Sequence, residues 1–306
     1  MGKYILKRLG ISLLTLLVLI TIVFILVRLM PGDPFASDKL TPEIRQNLER
    51  YYGFDKPIIV QYFTYIKNIL NGDFGYSMKY INQSVNTIIA DSFPYSFDLG
   101  MRGLSVSISL GLVLGIIAAL NRGKTLDYMS VIIAIIGTSV PDFIIGGLLQ
   151  YFFGIKWGLF PVAQYKGIEY TILPSIALGF YTLAMVSRIM RASMLEVVQQ
   201  DYIKTAKSKG ISNFRITAKH QIRNAIMPVV TVLGPTVASV LTGTFVVESI
   251  FAIPGMGKYY VQSVQNLDYS LILGMTVFYG AFLVLANMVV DILYGVIDPR
   301  IRVAGK

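Results

Sequence analysis

Between two long apolar runs lies a polar, basic stretch, Met190–Pro228, reading MRASMLEVVQQDYIKTAKSKGISNFRITAKHQIRNAIMP. Its residue types suit electrostatic and mechanical work more than bond-making. Lys204, Lys207, Lys209, Arg215, Lys219 and Arg223 supply positive charge. Met194, Val198, Tyr202 and Ala206 recur every fourth residue, the spacing of one helix face, and Leu195, Val197 and Ile203 widen that stripe. Lys209-Gly210 reads as a helix stop, with cations at the negative dipole end and a glycine free to turn left-handed. Ser212 then caps a second helix running through Phe214, Ile216, Ile222 and Ala225. Two occupations fit a helix–turn–helix of this kind at a membrane surface. It is a knob gripped by another protein, or a surface helix resting on anionic lipid.

Other reactive groups are scarce. There is no Cys, so thiolate chemistry and disulfides are excluded, and a single His220 cannot build a His-cluster metal site or a conventional triad. Gly123-Lys124-Thr125 imitates the end of a phosphate loop, but Ala118 stands where the first glycine is required. Asp142 follows Pro141 inside an apolar run and must face protein or water there. It lines a pathway with Ser139, or it caps the helix restarted after Pro141. Pro141 removes a backbone hydrogen bond, and Gly137, Gly146 and Gly147 soften the chain around it. Gly234-Pro235 and Thr242-Gly243-Thr244 offer small residues for close helix packing, with Gly234 and Pro235 as further hinge candidates. Glu248, just past the next apolar run, is an outer gate or docking candidate by position alone.

The elements that hold these groups are membrane helices. Hydrophobic residues make up 54% of the 306 positions and charged ones 14%, well below the roughly 25% of a soluble domain. Six stretches approach the ~20 apolar residues needed to cross a bilayer: Leu9–Leu29, Leu99–Leu120, Val131–Phe153 (interrupted at Pro141), Ile172–Met190, Ala225–Val247 and Leu271–Ile297. Most of the 27 Lys and Arg gather in short segments on one side, which places both termini in the cytoplasm. Arg28 and Arg102 end their helices on the outer side, where they can snorkel to the headgroups. The first run exceeds a usual signal-peptide core and lacks a following small-residue cleavage site, so it reads as an anchor. The net charge of +10 follows from this topology, and nothing points to nucleic acid.

An extracytoplasmic segment, 31–96, follows the first span. Thr41-Pro42-Glu43 opens one helix, Gly53 ends it, and Ile58–Leu70 forms a second, amphipathic one. It is a plain cap, or a docking surface or lid. Asn82-Gln83-Ser84 matches a glycosylation sequon, a weak three-residue pattern.

The combination DYIKTAKSKG and RNAIMPVVT resembles the ATPase-coupling loop of binding-protein-dependent ABC importer permeases, specifically the B-type subunit of oligopeptide and dipeptide systems. KYILKRL, VRLMPGDPF, YGFDKPIIVQY, SVPDF, ILPSIALG, GTFVVESIFAIPGMG and DILYGVIDPRIR resemble that family too, in order along nearly the whole chain. Ala206 and Gly210 match the second Ala and the Gly of the family's docking pattern, while Lys204 and Thr205 stand where many importers have Glu and Ala.

The resemblance implies an all-α integral membrane protein with the type I ABC importer permease fold. Its parts are an N-terminal transmembrane helix (1–30), the extracytoplasmic insertion, a core of five further helices (97–298) with the coupling loop at 191–224, and a cytoplasmic tail (299–306). It implies ATPase contact through Met194, Val198, Asp201, Tyr202, Ala206, Lys209 and Gly210. The implied partners are a second, C-type permease subunit, two cytoplasmic ATPase subunits, an extracytoplasmic peptide-binding protein and membrane lipid. The chain itself is expected to be non-catalytic and to bind no cofactor; ATP and Mg belong to the ATPases. The implied place is the bacterial cytoplasmic membrane and the implied cargo oligopeptides, with dipeptides, nickel or another small solute as the alternative. A secondary transporter would need more ionisable groups than Asp142 and Asp291 in its spans, and a membrane enzyme would need clustered nucleophiles or metal ligands.

Overall fold

The computed structural model describes residues 2–35, 42–80, 82–242 and 245–297. In chain order these form α1 (Gly2–Leu29), α2 (Pro42–Tyr51), α3 (Ile58–Leu70), α4 (Val85–Leu120), α5 (Thr125–Ser139), α6 (Asp142–Leu149), α7 (Glu169–Val198), α8 (Asp201–Ser208), α9 (Asn213–Ile216), α10 (Ile222–Ala225), α11 (Met227–Thr242), α12 (Phe245–Ile250), α13 (Met256–Gln265) and α14 (Tyr269–Ile297). Wider π-helical turns continue α6 over Gln150–Lys156 and join α9 to α10 over Thr217–Gln221. Among the described residues the only extended pairing is an isolated bridge between Tyr76 and Ser84.

Among the described residues four helices are long and apolar enough to cross a membrane: α1 from Arg8, α4, α7, and α14 as far as Val289. A fifth crossing exists if α5 and the α6 segment count as one, and these meet at a bend of 113°. Pro141 makes that bend. Its extended ψ of 145° places it at the start of α6, and its carbonyl accepts from the Ile144 and Ile145 N–H groups.

The expected fifth span, Ala225–Val247, differs. Its helix α11 has 16 residues, about 24 Å at 1.5 Å per residue, short of the ~30 Å hydrocarbon core. Gly243 and Thr244 lie outside the described residues. The second and fourth spans are longer than expected, reaching back to Val85 and forward to Val198.

Two compact bodies divide the chain. One comprises the chain up to Pro94 with Gly255–Met288, and the other Tyr95–Pro254 with the last turns of α14 from Val289. In the first body, Phe24 and Val27 of α1 pack with Tyr269, Ile272 and Leu273 of α14. Val85, Ile88 and Ile89 pack with Met256, Leu271 and Met275. Asp268 anchors the start of α14: its buried carboxylate accepts from the Leu271 N–H at 3.1 Å, the Met78 N–H at 3.1 Å and the Ser77 hydroxyl. The Tyr52 hydroxyl, pushed up to about 12 by burial and then by the Asp268 charge, donates to the Ser77 carbonyl at 2.9 Å. The helix expected to end at Gly53 does so, with φ +71°. Its proposed cap, Thr41, lies outside the described residues. Ser84 of the sequon caps α4, accepting from the Thr87 N–H at 3.0 Å.

In the second body α7 is the axle. On one side α4 lies against it with almost no side chain between them. A Cβ placed on Gly111 would stand 2.9 Å from the Leu183 carbonyl oxygen, and one on Gly115 2.6 Å from that of Ser187. Gly103 and Gly179 face each other in the same seam. On another side α5 approaches at Gly137, whose added Cβ would meet Ala184 at 2.6 Å. Small residues let membrane helices close to dispersion contact where the hydrophobic effect offers no drive.

Candidate functional site

The segment expected to couple to the ATPase is a short helix, α8, carried on the end of α7. The expected continuous face through Met194, Val198, Tyr202 and Ala206 is broken, because α7 stops at Val198 and Gln200 turns extended, with ψ 146°. Register is lost at that break. Met194 is fully buried with Met190, Ala225 and Val229, and Val198 is half-buried at the helix end. On α8 the inward residues are Ile203 and Ala206, which pack with Ile216, Val197 and Ile211. Tyr202 points outward instead, its hydroxyl accepting from the Asn224 amide at 3.1 Å.

The stop at Gly210 takes the form its residues predict. The Ile211 N–H reaches back to the Ala206 carbonyl at 3.3 Å and the Gly210 N–H to that of Lys207 at 2.9 Å. This is a Schellman cap, with Gly210 left-handed at φ +72° and Ile211 packed on Ala206. Lys209 is the last near-helical residue and is exposed. Asp201 opens α8, where a negative charge suits the helix dipole, and pairs with Lys204 at 2.8 Å on the surface. Ser212 occupies the cap position of α9, although its side chain makes no capping bond. The result is an inward face of Ile203 and Ala206 and an outward one of Asp201, Tyr202, Lys207 and Lys209. Phe214 stands beside it, 84% exposed.

A buried ion pair ties this end of α7 to α5. The Arg191 guanidinium donates to both oxygens of Asp127 at 2.6 and 2.9 Å, and the Gly123 N–H donates to the same carboxylate at 3.0 Å. The Asp127 side chain is 5% exposed and that of Arg191 30%. Arg191 lies within the basic stretch that follows Met190. Its partner is 64 positions away, and no local spacing announces it.

Of the pathway candidates, Ser139, Pro141 and Asp142 share one cavity of about 380 Å³ with Tyr181 and Thr182 of α7. Asp142 is the first residue of α6 and its carboxylate takes the Phe143 N–H at 2.8 Å, so it also serves the restarted helix. Gly234 and Pro235 lie apart from that cavity, although Val240 of the same helix reaches it. Glu248 is fully buried in α12. Arg102 pairs with Asp98 at 2.6 Å. That carboxylate also receives the Tyr165 hydroxyl, which burial and then the same bond push up to about 12.

Residues 111–303 match the family described as binding-protein-dependent transport system inner membrane component, and residues 1–100 match its N-terminal companion. The chain belongs to this family. A dipeptide transport system permease protein of Bacillus subtilis is 47% identical over 307 residues, covering all of both chains. Oligopeptide transport system permease proteins of Haemophilus influenzae and Escherichia coli K12 are 44% and 40% identical, each over 99% of this chain and 100% of the relative. This permease is therefore a multi-pass, all-helical membrane protein, a non-catalytic subunit like its relatives.

Proposed function

We propose that this chain is the B-type half of an ATP-driven peptide importer in the bacterial cytoplasmic membrane, with both termini cytoplasmic. Peptide arrives on an extracytoplasmic binding protein, a C-type permease subunit completes the pathway, and two ATPase subunits supply the energy. The observation that carries this reading is α8: a charged, Schellman-capped helix with its outer face free, rooted in the helix that reaches the cavity. The full-length similarity to permeases named for dipeptides and for oligopeptides supports peptide as the cargo class. Both lengths remain within that class, since selection by length belongs largely to the binding protein.

The mechanical route follows from packing. A push on the outer face of α8 passes through Ile203 and Ala206 to Val197, and so into α7. The Asp127–Arg191 pair hands the displacement to α5, and the close contact at Gly137 keeps α5 and α7 moving together. At the far end of α5 the bend at Pro141 converts it into a change in the cavity bordered by Asp142 and Thr182. Only a two-state bundle is required, biased by ATP in the partners.

Because the chain has no native Cys, single cysteines report contacts without background. Cysteine at Lys207 or Phe214 is expected to cross-link to the ATPase subunits in membranes carrying the whole transporter, and cysteine at Lys79 is not. Cross-linking from Lys79 with none from Lys207 or Phe214 contradicts both the sidedness and the docking surface.

A further inference from the structure

Four buried side-chain polar atoms lack a hydrogen-bond partner among the described residues, and three belong to one cavity: Arg28 Nε, Gln61 Oε1 and Tyr65 Oη. The cavity, of about 240 Å³, lies in the first body between the end of α1, α3 and the start of α14. Its floor is aromatic. The guanidinium carbon of Arg28 stands 4.0 Å from the ring centre of Phe54, 5.4 Å from that of Phe24 and 5.9 Å from that of Tyr269. These faces hold the cation in place without neutralising it. Lys56 and Asp73 border the cavity as well, and the Asp73 carboxylate already takes the Gly75 N–H at 2.8 Å. No carboxylate among the described residues pairs with Arg28.

The three orphan atoms specify a ligand. Arg28 Nε donates. Tyr65 donates too, since burial pushes its hydroxyl up and keeps it protonated. Gln61 Oε1 accepts, because its amide nitrogen is committed to the Lys56 carbonyl at 2.7 Å. The complement is an oxyanion with a donor group next to it. Burying such groups unmet costs about 1–3 kcal/mol each, which a ligand would recover.

Depth narrows the source. Arg28 is the penultimate residue of a 22-residue apolar span from Arg8 to Leu29, about 33 Å long, which sets it at the level of lipid phosphates. Helix α3 has the matching geometry. Gln61, Tyr65 and Asn68 share one face toward the cavity, while Ile59 and Phe63 project from the other, about 60% exposed, where acyl chains would lie. We propose that this cavity binds the headgroup of an anionic phospholipid of the phosphatidylglycerol type. The phosphodiester accepts from Arg28 and Tyr65, and a headgroup hydroxyl donates to Gln61.

The test is native mass spectrometry of the detergent-purified transporter complex, titrated with short-chain phosphatidylglycerol and, separately, phosphatidylcholine. Wild type is expected to hold one phosphatidylglycerol per copy of this chain, at least about tenfold tighter than phosphatidylcholine. Tyr65→Phe deletes only an unpartnered hydroxyl, so it should leave thermal stability intact and weaken that binding about tenfold, the worth of one hydrogen bond to a charged group. Arg28→Gln should abolish it. Displacement of the lipid by millimolar inorganic phosphate would make free oxyanion the ligand and overturn the lipid assignment. Equal binding of the two lipids, or binding unchanged in Tyr65→Phe, would overturn the site.

Discussion

Gly115→Leu is expected to lower the stability of the folded protein by about 3 kcal/mol or more. A Cβ at this position would lie 2.6 Å from the Ser187 carbonyl oxygen and 2.7 Å from the Met190 Cβ, so the clash is with backbone and with a helix root, neither of which rotates away. Leucine adds three further carbons in the same place. Overpacking a tight core commonly costs 1–3 kcal/mol, and with α4 forced off α7 we expect about 3 kcal/mol or more, against a typical net stability of about 5–15 kcal/mol. The control is Gly147→Ala, where nothing lies within 4 Å of the added carbon. It should hold or raise stability by about 0.5–1 kcal/mol, because alanine is the better helix former. Thermal unfolding of the two purified variants decides. Equal melting temperatures would show that the α4–α7 seam is not as close as described.

Asp127→Asn should be nearly as damaging, and a second substitution should repair it. The single change leaves Arg191 charged with its carboxylate partner gone, where breaking a buried pair commonly costs about 3–5 kcal/mol. Arg191 is 30% exposed, so water recovers part of that and about 3 kcal/mol is expected. Adding Arg191→Met removes the orphan charge and should restore most of the stability, since buried pairs are often replaceable as a unit. Peptide transport tells a different story in the same variants. If the pair transmits motion from α8 to α5, the stable double variant still transports poorly. Full transport by the double variant would reduce the pair to a stability device.

Features decided by neighbours in the chain are legible in the sequence, and long-range pairings are not. Gly53 and Gly210 ended their helices as expected, because a left-handed glycine after a cationic last turn is decided by neighbours in the chain. The bend at Pro141 was legible for the same reason. The break at Gln199–Gln200 was not. Both residues favour helix, and the stripe from Met194 to Ala206 continues the period through them. The break places Ile203 and Ala206 on Ile216, a contact supplied by tertiary packing. Close packing also runs through α4, where Gly111-Leu-Val-Leu-Gly115 carries the small-x-x-x-small signal. The aromatic faces around Arg28 are not legible locally, because Phe54 and Tyr269 lie far along the chain.

The central claim is that this chain carries peptide across the membrane under ATPase control. The most direct measurement is uptake of labelled dipeptides and oligopeptides by cells lacking the gene, complemented with wild type or with Gly210→Trp. A bulky residue at a left-handed position should disrupt the cap of α8 while leaving the spans inserted. The account predicts uptake restored by wild type and lost in the variant at equal membrane abundance. Uptake unchanged by loss of the gene would contradict peptide as cargo, and full uptake by Gly210→Trp would contradict α8 as the point where ATPase motion enters.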